Sequence, residues 1–371
     1  MKKKIVSALL CVAMIATMAT GCGGSKSSST SGNADSTAKQ FEINAAIAAN
    51  PPALDPHTVN ANVTGAIGIH IYEALFQMDE NYEPQPVLAE SYEMSDDGKE
   101  YTIKLRHGVK FHNGDEMKAD DVVASMNRWL KLSPKAKTLI GGSVFEKVDD
   151  YTVKLTVNEP SSDIIMVLAS PIQFAAIYPK SVVDSASDEG VKEYIGTGPY
   201  KVAEWKQDQY VKLEKNEDYQ PAEGKSSGLA GAKNAQADTI TFNIVTDAAT
   251  RIAGVQNGQY DIAEDIPADQ YKDLAADKNL TMDVRSGGTL NLFLNTTEGV
   301  MADEKVRQAA LAALNCDDIL MASYGDADLY KLNAGWCNPD DTQWGTEAGS
   351  EYYNQNDIKK AKKLLSESSY N

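Results

Sequence analysis

Hydrophobic and polar residues alternate most regularly between Leu88 and Trp129. Tyr101, Ile103 and Leu105 alternate with Thr102, Lys104 and Arg106, a period of two that buries one face of a strand and wets the other. Asp97-Gly98 sets a turn between this strand and a preceding one, and Asn113-Gly114, a pair that readily accepts positive φ at both central positions, makes a second tight turn. The period then lengthens: Val122, Met126 and Trp129 recur at i, i+4 and i+7 and predict a helix with one apolar face. No nucleophile or metal cage interrupts these elements, so the stretch reads as scaffold.

The same patterns extend along the chain. Phe41, Ile43 and Ala45 predict a first strand, Asn50 to His57 a turn-rich loop, and Ile67 to Phe76 a helix. Tyr151, Val153, Leu155 and Val157 alternate with Thr152, Lys154 and Thr156 after a turn at Asp149-Asp150. Strands follow at Lys201 to Trp205 and Tyr210 to Leu213. Next come a strand through Ile240, Phe242 and Ile244, an Asp247-capped helix bearing Ile252 and Val255 and closed by Gly258, and a strand starting at Tyr260-Asp261-Ile262. That βαβ rhythm implies a parallel pair and an α/β core. Paired Gly287 and Gly288 make a candidate hinge before a strand predicted from Thr289 to Asn295. A helix opening at Asp303 should bury Val306, Ala310 and Ala313. The last helix should turn Ile358, Ala361, Leu364 and Leu365 inward and its lysines to solvent, a solvated face rather than a nucleic-acid surface.

Composition narrows the class. The chain has 371 residues, enough for two domains, with 42% hydrophobic and 24% charged residues, which is ordinary for a soluble globular protein. A formal charge of −18 argues against nucleic acid or an anionic membrane surface as partner. Residues 1–21 carry three lysines and an apolar run from Ile5 to Met18, a secretory signal too short for a stable span. Its ending, Ala19-Thr20-Gly21-Cys22, resembles a lipobox with Ala19 in place of the usual Leu, so Cys22 is the expected lipidation site and residues 22–39 a Gly/Ser-rich tether. Cys316 and Cys337 remain in an oxidising compartment, either bridged or as two buried free thiols.

A specific resemblance runs through the scaffold stretch. Leu88-Ala89-Glu90-Ser91, Asp97-Gly98-Lys99, Gly108-Val109-Lys110-Phe111-His112-Asn113-Gly114 and Ala119-Asp120-Asp121-Val122 closely resemble the signature of the family 5 extracellular solute-binding proteins, the peptide, dipeptide and nickel receptors of ABC importers. Lys118 departs from it, standing where a small hydroxyl residue would cap the helix. Leu54-Asp55-Pro56-His57, Ile71-Tyr72-Glu73-Ala74-Leu75, Gly196-Thr197-Gly198-Pro199-Tyr200 and Asp303 to Ala309 are similar to the family as well.

The resemblance implies a two-lobed α/β fold of the periplasmic-binding-protein type II class, with an extra inserted subdomain. Residues 40–62 and 171–286 would form a discontinuous lobe I, 63–170 the inserted subdomain and 287–371 the start of lobe II, which the resemblance implies is incomplete because full-length members run on past Asn371. It also makes Asn60, Ala61 and Asn62 candidates for ligand contact and puts Thr289 and Asn291 near the cleft floor; a surface loop and plain strand positions are the alternatives. The implied function is capture of a solute, foremost a peptide, and its delivery by a monomeric, lipid-anchored receptor to an ABC permease. That protein lies outside the cytoplasm, uses no cofactor and performs no catalysis.

Three rivals remain. A nickel or metal-chelate receptor of the same family would need ligands from His57, His70, His107 and His112, whose spacing suits surface histidines better. A secreted hydrolase would need a nucleophile or metal signature, and neither GxSxG nor HExxH is present. A sensor or adhesion lipoprotein would bind without transport.

Overall fold

A computed structural model describes residues 40–187, 189–285, 288–335, 337 and 345–370. The chain enters strand β1 (Glu42–Ile47), bends through Leu54 to His57 and forms helix α1 (Asn62–Ile71). Strands β2 (Phe76–Met78), β3 (Pro84–Pro86), β4 (Ala89–Met94) and β5 (Glu100–Leu105) lead to helices α2 (Ala119–Leu132) and α3 (Pro134–Ile140). The hairpin β6 (Val144–Asp149) and β7 (Thr152–Thr156), helices α4 (Ile164–Ala169) and α5 (Lys180–Ser185), and strands β8 (Tyr200–Lys206), β9 (Tyr210–Lys215) and β10 (Thr239–Ile244) follow. Then come α6 (Ala248–Gln256), β11 (Ile262–Ala263), α7 (Tyr271–Ala275), α8 (Glu304–Ala313), α9 (Cys316–Tyr324) and α10 (Ile358–Ser366).

Two sheets carry the site. The first has the order β11-β1-β10-β9-β8, with β1 parallel to both β10 and β11 and the β8–β9 hairpin antiparallel beside β10. The βαβ unit is therefore present, with β1 inserted between its two strands. The second is an antiparallel sheet of order β4-β5-β7-β6, its inward face built by Tyr101, Ile103, Leu105, Phe145, Val153 and Leu155. Helix α2 buries Val122, Met126 and Trp129 in that same core. It starts directly after Lys118, whose backbone N–H donates to Asp121 Oδ2 at 2.9 Å, the half of a capping box that needs no hydroxyl at the cap position. A separate apolar core joins α1 (Ile67, Ile71) to β9 (Val211, Leu213) and β10 (Ile240).

Several elements differ from expectation. Helix α1 occupies Asn62–Ile71 rather than Ile67 to Phe76, and Phe76 opens a strand. In β1, Ala45, Ala46 and Ile47 are all buried, since a strand flanked on both sides by parallel partners hides both faces; Phe41, before its start, is exposed. Of the pair Asn113-Gly114, the glycine alone has positive φ, at 90°. Helix α6 buries Arg251 and Gly254 and leaves Ile252 and Val255 half-buried, because the Arg251 guanidinium donates to the carbonyls of Val245, Thr246, Glu264 and Asp265 and ties the ends of β10 and β11 together.

The largest differences lie after residue 287. The predicted strand from Thr289 to Asn295 is not formed: no described strand pairs with it, and a strand without a ladder partner has no backbone hydrogen bonds to gain. Leu290 and Phe293 are consequently 72% and 76% exposed. Helix α8 buries Val306, Ala309 and Ala312, an i, i+3 stripe facing α10, instead of Val306, Ala310 and Ala313. In α10, Ala361 is buried while Ile358 and Leu365 are exposed. Cys316 and Cys337 are free thiols, so the bridge left open above is not formed here. Among the described residues no helix is long and apolar enough to cross a membrane. Cys22 and Gly287 lie outside the described residues; Gly288 has φ 117°, open only to glycine at little cost.

Candidate functional site

The bend from Leu54 to His57 is a buried joint rather than a surface loop. Leu54, Asp55 and His57 are 0–1% exposed. Arg128, a buried residue of α2, holds Asp55 with a two-pronged ion pair at 3.2 and 2.6 Å. The Tyr178 hydroxyl donates to Asp55 Oδ1 at 2.8 Å, and the Val191 and His57 backbone N–H groups donate to the same carboxylate at 3.0 and 3.1 Å. Burial pushes the Asp55 carboxyl up, but the Arg128 bond, the neighbouring positive charge and the Tyr178 bond outweigh it and hold the group below the ordinary carboxylate range.

Histidine 57 completes the joint. Its Nε2 lies 2.9 Å from the Ala176 carbonyl, and its ring meets Tyr178 edge-on with centroids 5.0 Å apart. Full burial drives its pKa down to about 4, so the imidazole is neutral at physiological pH. The whole arrangement fixes where the chain leaves His57 and reaches Asn60.

Beyond this joint lies a cleft of about 250 Å³. One wall is the start of α1, with Asn60, Ala61, Asn62, Gly65, Ala66 and Ile69. Pro171, Ile172 and Gln173 line it from the segment after α4, and Leu229 reaches it from the long connection between β9 and β10. None of the lining residues is charged.

Each wall is pinned from outside. Thr64 Oγ1 donates to the Ala53 carbonyl at 2.6 Å, tying α1 to the bend. Gln173 takes φ 48°, and is held there by Trp129 Nε1 donating to its carbonyl at 2.7 Å and by Ser133 Oγ bonding its Oε1 at 3.1 Å. The Leu229 segment hangs from Met78, whose carbonyl accepts the Leu229 N–H at 2.9 Å. Buried Glu73 accepts from Thr197 and Tyr219 at 3.0 and 2.8 Å and lies 3.7 Å from Lys233, whose own Nζ donates to Gln77.

Of the positions singled out by sequence, Asn60, Ala61 and Asn62 sit together in this cleft. Thr289 and Asn291 do not line it; they bond one another at 2.8 Å on an exposed segment. Arg128, Gln173 and Leu229 were not singled out. None of the three carried a sequence signal: Arg128 lies about 120° round α2 from the Val122, Met126 and Trp129 stripe, and Gln173 and Leu229 sit in irregular segments.

The four histidines are dispersed: His57 and His112 bond backbone carbonyls, His70 packs on Tyr200 and Phe242, and His107 stacks on Tyr151 at 3.8 Å. Among the described residues no group of three or more His, Cys, Asp or Glu could hold a metal ion.

The α/β frame with its second, antiparallel sheet is that of a periplasmic-binding-protein-like solute-binding fold. The chain belongs to the bacterial extracellular solute-binding proteins, family 5, whose "Middle" pattern matches residues 83–371. It is similar to the glutathione-binding protein GsiB of Salmonella paratyphi A, 33% identical over 343 residues, which cover 89% of this chain and 62% of that protein. It is also similar to the probable peptide ABC transporter periplasmic-binding protein y4tO of Sinorhizobium fredii, 29% identical over 86% of this chain and 61% of that one. The chain thus spans about three fifths of the length of the curated relatives it matches. Among solved structures, HbpA2 from Haemophilus parasuis superposes with TM-score 0.71 at 28% identity, covering 88% of this chain and 66% of that one. The oligopeptide-binding protein AppA from Bacillus subtilis, in complex with a nonapeptide, gives 0.66 at 27% identity, covering 88% and 64%.

Proposed function

We propose that this protein is the solute receptor of an ABC importer, capturing peptides outside the cytoplasm and handing them to a membrane permease. The carrying observation is the cleft at Asn60 to Asn62, whose polar lining residues, Asn60, Asn62 and Gln173, are all neutral amides. Neutral amides both donate and accept hydrogen bonds, which suits the main chain of a peptide, and the family membership supports the same reading. Residues 40–62 and 171–286 form lobe I, 63–170 its inserted subdomain and 287–371 the beginning of lobe II, with Gly287 and Gly288 as the hinge. Closure of the lobes on the solute is a population shift set by the ligand's greater affinity for the closed form. The receptor is a monomer that performs no chemistry on its solute, held at the outer face of the membrane by lipid on Cys22.

The test is calorimetric titration of the receptor extracted from its own membranes, with di- to pentapeptide mixtures and with nickel–histidine. Heat with peptides and none with the chelate is expected. Heat with the chelate alone would reassign the protein to metal-chelate capture, in line with a similar structure, NikA from Brucella suis, which is in complex with Fe(III)-EDTA.

A further inference from the structure

We infer that the cleft beside α1 is a subsite for one aliphatic side chain of the ligand and that it rejects a charged side chain at that position. This rests on the peptide-receptor reading and adds its specificity. The first support is the lining. Val59, Ala61, Ala66, Ile69, Pro171 and Leu229 present hydrocarbon, Ile172 stands 58% exposed at the wall, and no lysine, arginine, aspartate or glutamate is among the lining residues. A charge entering such a space gives up part of its hydration and finds no charged lining residue in return, whereas a methyl or isobutyl group releases water from both surfaces.

The second support is size. At about 250 Å³ the cleft falls below the roughly 300–1,000 Å³ of complete small-molecule sites, so it takes one part of a ligand and not the whole. Asn60 and Asn62 supply the polar groups that would hold the adjoining main chain, the Gln173 oxygens being bonded by Trp129 and Ser133, which leaves the interior to the side chain. The third is rigidity. The Asp55–Arg128 pair and the Trp129–Gln173 bond tie both walls to adjacent residues of α2, so the space is formed before a ligand arrives.

Gly65 provides a clean perturbation. A Cβ added there meets only the Pro171 carbonyl oxygen, at 3.9 Å, an ordinary contact, so the backbone accepts a side chain at a position that lines the cleft. The experiment titrates the membrane-extracted receptor with tripeptides that differ at one position at a time among Leu, Ala, Glu and Lys. At one position Leu should bind at least about tenfold more tightly than Ala, the discrimination an apolar pocket makes between small differences in hydrocarbon, and Glu and Lys should bind more weakly still. Gly65→Leu should abolish that preference while its unfolding midpoint stays equal or rises, since glycine is the weaker helix former. Ala66→Asp should invert the ranking toward Lys.

Glutathione, which lacks a branched aliphatic side chain, should bind more weakly than the Leu tripeptide. Peptides that bind with no preference at any position, or a preference untouched by Gly65→Leu, would overturn the subsite and leave the receptor reading intact. No binding by any peptide would overturn the receptor reading and the subsite with it.

Discussion

Removing Arg128 tests the joint that positions the cleft. In Arg128→Met the hydrocarbon of the side chain is kept and the guanidinium lost, leaving the Asp55 carboxylate buried without its counter-ion. The two side chains are 8% and 1% exposed, so solvent cannot take over. Breaking a buried pair by removing one partner costs about 3–5 kcal/mol. Tyr178, Val191 and His57 still donate to Asp55, which places the expected loss near the lower end, about 3 kcal/mol. At roughly 2–4 °C per kcal/mol for a domain of this size class, the melting midpoint should fall by roughly 6–12 °C at pH 7.

The pH dependence gives the mechanism away. Asp55 is held below its ordinary value of 3.8, so its contribution is present above about pH 4 and is lost as pH falls through the folded-state value. Without Arg128, burial dominates and the carboxyl takes up a proton at higher pH, which relieves the penalty. The gap between wild type and variant, followed by circular dichroism during urea unfolding, should therefore narrow between pH 7 and pH 4. A loss below about 1 kcal/mol at pH 7, or one that does not vary with pH, would refute the reasoning.

Three further outcomes follow from the same structure. His57 is neutral and buried with its pKa lowered to about 4 from 6.5, so the unfolded chain takes up its proton first. The His57 contribution to stability should be full above pH 6.5 and fall by up to about 3 kcal/mol as pH drops to 4, with His70 and His112, both also lowered to about 4, adding to the loss over the same range; a His57 imidazole that titrates near 6.5 by NMR would contradict this. A Cβ at Gly196 would sit 2.1 Å from the Ile71 carbonyl oxygen, so Gly196→Ala should lose about 3 kcal/mol or more in denaturant titration, whereas Gly65→Ala should gain up to about 1 kcal/mol. Cys316 and Cys337 should both be alkylated in the native protein without reductant, as read by peptide mass mapping; a gain of two hydrogens on reduction would show a bridge instead.

What the sequence determined alone was whatever depends on neighbours within a turn or a pleat. The strand containing Tyr101, Ile103 and Leu105, the hairpin through Val153 and Leu155, and the α2 stripe of Val122, Met126 and Trp129 follow from periods of 2 and 3.6, and all are buried as those periods require. The resemblance carried in the same stretches led to the family, and its Leu54 to His57 element led to Asn60, Ala61 and Asn62 at the cleft.

Only the tertiary structure decided what faces those residues. Asp55 and Arg128 are 73 positions apart, Trp129 and Gln173 are 44, and Leu229 joins the cleft through a backbone bond to Met78. No periodicity records such partners, because an ion pair or a pinned carbonyl is set by how elements pack and not by the spacing within either one. The same reason explains the misread segment at Thr289 to Asn295. Its alternation is that of a strand, but a strand exists only where another chain segment accepts its hydrogen bonds.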